Sequence, residues 1–364
     1  MTSHLSLVSR VLAKLEPGGA QLSVLRVIRA LEGHGIASRL LVGWASPKGL
    51  ALAGRMGVEV EVYGEGGDLQ WEPDIGFSDW LESRLSGADV IHAHMFGAWW
   101  AAAQAAPPGV PLVASEHNAL TWPHGRPALA LRPALERVDL FYGHGPGART
   151  AILAAGLAPD KMRPGISPLG DLGAQADPKL PVPRIVYAGR LHHEKGADVL
   201  VEALARLPLA PQAFLLGDGP MREQLQRRID VLGMGERVHL RGWQNRPGST
   251  MAGATVVVVP SRDEAWSQTA VQAMALGATV IGTDVDGLPD TLAQRRGIVV
   301  VPDNPDVLAD AIDGVLTGRR HTDLAAARRY ALQFTPARVS AEYAKAYRAL
   351  HGASNPHAPV AQAS

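Results

Sequence analysis

The chain has 364 residues, of which 46% are hydrophobic and 19% charged, with 35 basic and 35 acidic side chains and no cysteine. This length and apolar content suit two domains with sizeable cores, and the balanced charge supplies no bulk attraction to nucleic acid. The lack of cysteine excludes disulfides, thiol nucleophiles and thiolate-bound metal, and is compatible with the cytoplasm.

The stretch "MTSHLSLVSRVLAKLEPGGAQ" reads as a first strand followed by a glycine loop at Gly18 and Gly19. It lacks the long apolar centre of a signal peptide. No run of about 18 apolar residues follows, so no membrane span is expected. Short apolar, β-branched runs then recur. They are "SRLLVG", "VEVEVYG", "DVIHAH", "PLVASEH" and "DLFYGHG" in the first half, then "RIVYAGR", "QAFLLGDG", "RVHLRG", "TVVVVPS", "ATVIGTD" and "GIVVVP" in the second. Helix-like stretches separate most of them, which predicts βα units with parallel strands. Their continuous apolar character predicts helices on both faces of each sheet.

The break falls in "GISPLGDLGAQADPKLPVPR", rich in Gly, Pro and Asp. It predicts an N-terminal domain over 1–168, a linker over 169–182 and a C-terminal domain over 183–335. A last helix over 336–350 starts at Thr-Pro and shows an apolar stripe through Val339, Tyr343, Ala346 and Leu350. The tail 351–364 has almost nothing to bury and is expected to be disordered. The fold class is therefore α/β, with two Rossmann-like domains. Ligands are expected in a cleft at the carboxyl ends of their strands.

Several strand ends carry candidate ligand groups. "VYAGRLHHEKG" leaves a strand and enters a helix, so Arg190 and Lys195 project there, and two cations beside backbone donors suit a diphosphate. An ordinary solvated loop would look the same. "LGDGP" puts Gly217 in a turn that lets backbone approach a ligand, or simply closes a βα unit. Trp243 and Gln244 follow a strand and could receive a flat base, although a core Trp is an equal reading. In "PSRDEAWSQTAVQAMALG", Ser267 is a good N-cap. The amides near Trp266, Ser267 and Gln268 then favour a phosphate. Glu264 can accept from sugar hydroxyls, and Gln272, about two helical turns on, can serve a ribose diol. His92 and His94 share one strand face and raise the question of zinc, but no carboxylate ligand is evident beside them.

In this order and spacing, "GGAQ", "AGRLHHEKG", "LGDGP", "PSRDEAWSQTAVQAMALG" and "GLPD" resemble the family-4 glycosyltransferases, whose fold is GT-B. The resemblance implies a retaining, metal-independent hexosyl transfer from a nucleotide-sugar co-substrate, a UDP-sugar, with no cofactor. It implies that Arg190 and Lys195 hold the diphosphate, that Glu264 and His117 (in "ASEHN") meet the transferred sugar, and that Gly18 and Gly19 face the reacting centre. It also implies that the last helix returns to the N-terminal domain. Two positions depart from the family pattern: Gln272 stands where the ribose-binding Glu is usual, and Ser267 where a glycine is usual.

The acceptor has one local signal. The stretch 59–83 is acidic throughout and contains Glu65, Asp68, Trp71, Glu72 and Asp74 with no Lys or Arg. It could gather a cationic aminocyclitol or aminoglycoside, as in antibiotic assembly, or be only a solvated connection. A cell-envelope lipid or polysaccharide acceptor is the alternative. A nucleotide-sugar epimerase and a non-catalytic nucleotide-sugar-binding module are the other classes consistent with these residues.

Overall fold

A computed structural model describes residues 5–64, 69, 72–118 and 131–354. The chain divides into two compact units, one running to Pro168 and resuming at Pro336, the other spanning Leu169–Thr335. In the first unit the strands are β1 (Leu7–Leu15), β2 (Ala37–Ala45), β3 (Val60–Gly64), β4 (Val90–His94), β5 (Leu112–Glu116), β6 (Leu140–Gly143) and β7 (Met162–Pro164). They form a parallel sheet in the order β3-β2-β1-β4-β5-β6-β7. In the second unit β8 (Arg184–Ala188), β9 (Gln212–Leu216), β10 (Val238–Gly242), β11 (Val256–Val259), β12 (Thr279–Thr283) and β13 (Ile298–Val300) follow. Their order is β10-β9-β8-β11-β12-β13, again parallel. In each sheet the strand order reverses beside its first strand, where open α/β sheets bind ligands at the carboxyl ends.

The sequence explains these sheets. All four valines of β11 are buried, as a strand covered on both faces requires. β7 was not expected: its three residues end in a proline, and an edge strand of that length leaves no periodic signal.

The stretch 169–182 is not an open linker. Leu169 is fully buried and its N–H donates to Phe334 O at 2.9 Å, while Asp171 Oδ2 accepts from Gly248 N at 3.0 Å. Buried Arg184 donates to backbone carbonyls, Thr250 O and Leu180 O, each at 3.1 Å. These bonds dock the segment onto the second unit.

The final helix runs Pro336–Ser354, beyond the expected end at 350. Its buried stripe is Val339, Ser340, Tyr343, Ala344, Tyr347 and His351, with Ala346 and Leu350 only half-buried. Tyr347 and buried His351 prolong the stripe, which is why the helix does not stop at Leu350. It packs on the helix Gly19–Glu32 and the turn after it, where His34 Nε2 and Ser340 Oγ are 3.1 Å apart. The rest of the expected tail, 355–364, lies outside the described residues. Among the described residues no helix is long and apolar enough to cross a membrane.

Candidate active site

In the second unit the predicted residues lie on the loops leaving β8, β9, β10 and β11 and on the helix that follows β11. Lys195 Nζ donates to Glu264 Oε2 and to Asp263 O, each at 3.1 Å. Ser261 Oγ donates to the same carboxylate oxygen at 3.2 Å. Arg190 is ion-paired with Glu194. So neither cation stands alone, contrary to the simplest reading of the sequence. Two cations this close in sequence repel, and a carboxylate beside each relieves that repulsion.

Arg262 braces the loop. It reaches both Asp198 oxygens at 2.9 and 2.7 Å, Asp303 Oδ1 at 2.6 Å and His193 O at 2.5 Å. Gly196 closes the Lys195 loop with φ +66°, and a Cβ there would overlap Pro260 O, so the two loops touch backbone to backbone. Gly217 plays the same part on the β9 loop, with φ +146° and a Cβ position that would overlap Gly189 O. Its glycine is thereby explained by packing alone.

The helix Gln268–Ala275 starts behind Glu264. Ser267 caps it, its Oγ accepting from Ala270 N at 3.2 Å. Thr269 Oγ1 donates to Ala188 O at 2.8 Å and pins this helix start to the end of β8. The first-turn amides of any helix lack intrahelical acceptors and carry partial positive charge. Here they and Lys195 both lie beyond the carboxyl ends of parallel neighbouring strands, β11 and β8. The half-buried Trp266 ring packs against Phe334, centroids 5.1 Å apart. Gln272 is buried, 8% exposed, and its Nε2 has no hydrogen-bond partner among the described residues. A buried amide donor without an acceptor is costly. Trp243 is 38% exposed rather than in the core, with Nε1 donating to Asn245 Oδ1 at 3.1 Å, and Gln244 Nε2 donates to Arg241 O at 3.0 Å.

In the first unit Gly18 precedes the helix Gly19–Glu32 in extended conformation, and Gly19 is exposed at its first turn. His117 follows β5 and stands in a stack of four imidazoles. Ring centroids are 4.1 Å apart for His92–His94, 5.5 Å for His94–His117 and 4.0 Å for His117–His144. His92, His94 and His144 are buried and His117 is half-buried. Burial pushes all four below the ordinary histidine value, His144 to about 4. The neighbouring rings and, for His92 and His94, the Arg10 guanidinium push the same way. Among the described residues no three His, Cys, Asp or Glu are arranged to hold a metal ion. Glu116, fully buried, accepts from His117 N at 2.9 Å, Asn118 N at 3.2 Å and Trp99 Nε1 at 3.3 Å. Burial nevertheless raises its carboxyl to about 7, against those donors.

Sequence reasoning passed over Arg10, Glu116 and His144. A signal was present: "HAH", "ASEH" and "YGH" put a histidine at or just past the end of three strands, β4, β5 and β6, that are neighbours in the sheet.

Of the acidic stretch, Glu65, Asp68 and Trp71 lie outside the described residues. Asp74 is committed to structure, capping the helix Ile75–Arg84 with Oδ1 2.6 Å from Phe77 N. Glu72 is exposed, and its carbonyl packs over Gly97.

Residues 174–332 match the family model of the glycosyl transferases group 1, and residues 17–164 that of Glycosyltransferase Family 4. The two matches lie one in each half of the chain. A D-inositol 3-phosphate glycosyltransferase of Jonesia denitrificans is 33% identical over 192 residues, 48% of this chain and 42% of that protein. A 2-deoxystreptamine N-acetyl-D-glucosaminyltransferase of Streptomyces fradiae is 33% identical over 155 residues, 40% of this chain and 37% of its own length. These alignments thus span about two fifths of each relative. The crystal structure of Anabaena HepE in complex with UDP superposes with a TM-score of 0.74 at 21% identity, covering 94% of this chain and 99% of that one. At that identity the likeness speaks for the fold, and the fold is GT-B.

Proposed function

We propose that this chain is a retaining glycosyltransferase that moves a sugar from a UDP-sugar to a small polar acceptor, an aminocyclitol or aminoglycoside. The observation that carries the reading is the Lys195–Glu264 pair beside the start of the helix Gln268–Ala275. As the anomeric C–O bond of a donor breaks, the sugar turns oxocarbenium-like and negative charge grows on the leaving diphosphate. Lys195, Arg190 and the first-turn amides from Trp266 to Gln268 are suited to receive that charge. Glu264, held by Lys195 and Ser261, is suited to accept from sugar hydroxyls, and the unpartnered Gln272 Nε2 to donate to a ribose oxygen. Trp243, Gln244, Gly18 and Gly19 complete the donor contacts by family resemblance, and His117 meets the transferred sugar on the same ground. No metal is given a role, and the leaving phosphate takes the acceptor's proton in a front-side attack.

Two things support the acceptor class. The relative from Streptomyces fradiae is named for transfer to 2-deoxystreptamine, an aminocyclitol. The stretch containing Glu65, Asp68, Trp71 and Glu72 offers the anionic and aromatic groups that a cationic acceptor needs.

The test incubates the purified chain with UDP-, GDP- and dTDP-sugars, with and without 2-deoxystreptamine or inositol 3-phosphate. Products are read by mass spectrometry and the anomeric configuration by NMR. Transfer from a UDP-sugar to the aminocyclitol with retention is the expected result. Sugar interconversion without acceptor would make the chain an epimerase. Tight nucleotide binding without turnover would make it a binding module, and transfer confined to lipid or polysaccharide acceptors would overturn the acceptor class.

A further inference from the structure

The stacked histidines hang from a guanidinium. Arg10 lies on β1 opposite His92 on β4 and is fully buried. Its hydrogen-bond partners among the described residues are His94, His92 and Tyr347. Guanidinium nitrogens only donate. His94 Nε2, 3.2 Å from Arg10 Nη1, must therefore accept. A neutral imidazole that accepts at Nε2 carries its proton on Nδ1. His94 Nδ1 lies 3.2 Å from His117 Nε2, so His94 donates there and His117 accepts. The remaining proton of a neutral His117 is then on Nδ1.

We propose that Arg10 is a positioning residue which, acting through His94, fixes His117 in its Nδ1–H tautomer, so that His117 meets a sugar or phosphate oxygen as a hydrogen-bond donor. The inference rests on the role given to His117 above.

The rest of the cluster agrees, on independent contacts. Arg10 Nη1 also faces His92 Nδ1 at 3.5 Å, so that nitrogen accepts, and the Tyr347 hydroxyl, itself accepting from Arg10 Nη2 at 2.8 Å, donates to it at 2.6 Å. His92 then holds its proton on Nε2 and donates to Ser115 Oγ at 2.7 Å. On the other side of His117, His144 Nδ1 is 3.0 Å from Glu116 O, a carbonyl that only accepts, so His144 is an Nδ1–H tautomer as well. Its Nε2 accepts from Ser167 Oγ at 3.1 Å. Two groups with a single possible role, the Arg10 guanidinium and the Glu116 carbonyl, thus anchor the proton pattern of the stack. The neutral state follows from the surroundings: a second positive charge beside Arg10, away from water, is disfavoured. The final helix takes part through Tyr347, so the end of the chain helps fix the pattern.

The experiment uses the full chain labelled with ¹⁵N-histidine at pH 7.5, with long-range ¹H–¹⁵N correlations reporting the tautomer of each ring. His94, His117 and His144 are expected as Nδ1–H and His92 as Nε2–H. A wild-type His117 found as Nε2–H overturns the proposal at once, whatever the variants do. In Arg10→Met, which keeps the bulk and removes the donors, His94 and His117 should lose their single tautomer and kcat should fall about tenfold with little change in donor KM. An unchanged His117 pattern in a folded Arg10→Met overturns the relay. Should Arg10→Met fail to fold, His94→Phe keeps the ring stack and cuts the same link, with the same two outcomes. Failure of the parent reading looks different: the tautomers stand as described while His117→Ala retains full activity.

Discussion

Lys195 Nζ lies 3.1 Å from Glu264 Oε2, and the two side chains are only 21% and 15% exposed. A pair this sheltered is costly to break from one side, because the partner left behind is a partly buried charge. Lys195→Ala is therefore expected to lower kcat by about 30- to 1000-fold, or ~2–4 kcal/mol of transition-state stabilisation. Glu264→Gln in the same background should add much less than it does alone, since the two residues act as a unit. Steady-state kinetics on the two single variants and the double variant measure this. Additive losses would mean that the pair does not work together, and near-native turnover in Lys195→Ala would remove it from the site.

Gln272 gives a prediction with opposite signs in two assays. Its Nε2 is buried without a partner among the described residues. Gln272→Glu replaces that orphan donor with a carboxylate, which binds a ribose hydroxyl more strongly than a neutral amide by about 1 kcal/mol, or roughly fivefold. The same carboxylate is costly in the nucleotide-free protein, because it is buried at that position. UDP affinity by calorimetry should rise about fivefold while the Tm of the nucleotide-free protein falls. Equal UDP affinity in wild type, Gln272→Glu and Gln272→Ala would move the ribose elsewhere.

Gly196 joins two loops that both carry site residues. Its φ of +66° costs a side-chain-bearing residue about 1 kcal/mol or more, and its Cβ would meet the Pro260 carbonyl, which is backbone and cannot swing aside. Gly196→Ala should lose about 2–4 kcal/mol and lower Tm by roughly 5–10 °C. Donor KM should rise with it, because the Lys195 loop would be pushed off the Glu264 loop. Gly173→Ala is the control: a Cβ there meets no atom within 4 Å, and no change beyond about 0.5 kcal/mol is expected. A Gly196→Ala protein as stable as the control would contradict the close approach.

The sheets were legible because parallel strands covered on both faces need unbroken apolar runs, and Val256–Val259 is such a run. The start of the helix at Gln268 was legible because a serine before a small-residue run is a local signal. Long-range pairings were not. Nothing local distinguishes a Lys195 aimed at a phosphate from one held by Glu264, since the partner lies in a different βα unit. Nor does the sequence mark Tyr347 as the hydroxyl that completes a cluster begun at Arg10, because that bond spans almost the whole chain. The docked stretch 169–182 looked like a linker because its composition is that of a loop, and the carbonyls that hold it belong to distant residues such as Thr250.

The stacked histidines also set how stability depends on pH. His92, His94, His117 and His144 are held below the ordinary histidine value, chiefly by burial. Below about pH 6.5 the unfolded chain binds protons at these positions that the folded chain refuses, so each removes up to ~1.4 kcal/mol of stability per pH unit as pH falls. Glu116 works in the other direction. Its carboxyl is raised to about 7, so between its ordinary value and pH 7 the folded state holds a proton the unfolded state has lost. Its contribution therefore grows as pH falls, by up to ~1.4 kcal/mol per unit. Four groups against one leave the histidines in control, even with half-buried His117 counted for less, so stability falls as pH drops below about 6.5. Urea unfolding at half-unit steps from pH 8 to 4.5 should show a plateau above pH 7 and a steep fall below 6.5. His94→Phe should make the fall shallower by about one proton's worth. A stability that stays level from pH 6.5 to 5 would mean that these imidazoles already accept protons in the folded chain, and the neutral stack would be wrong.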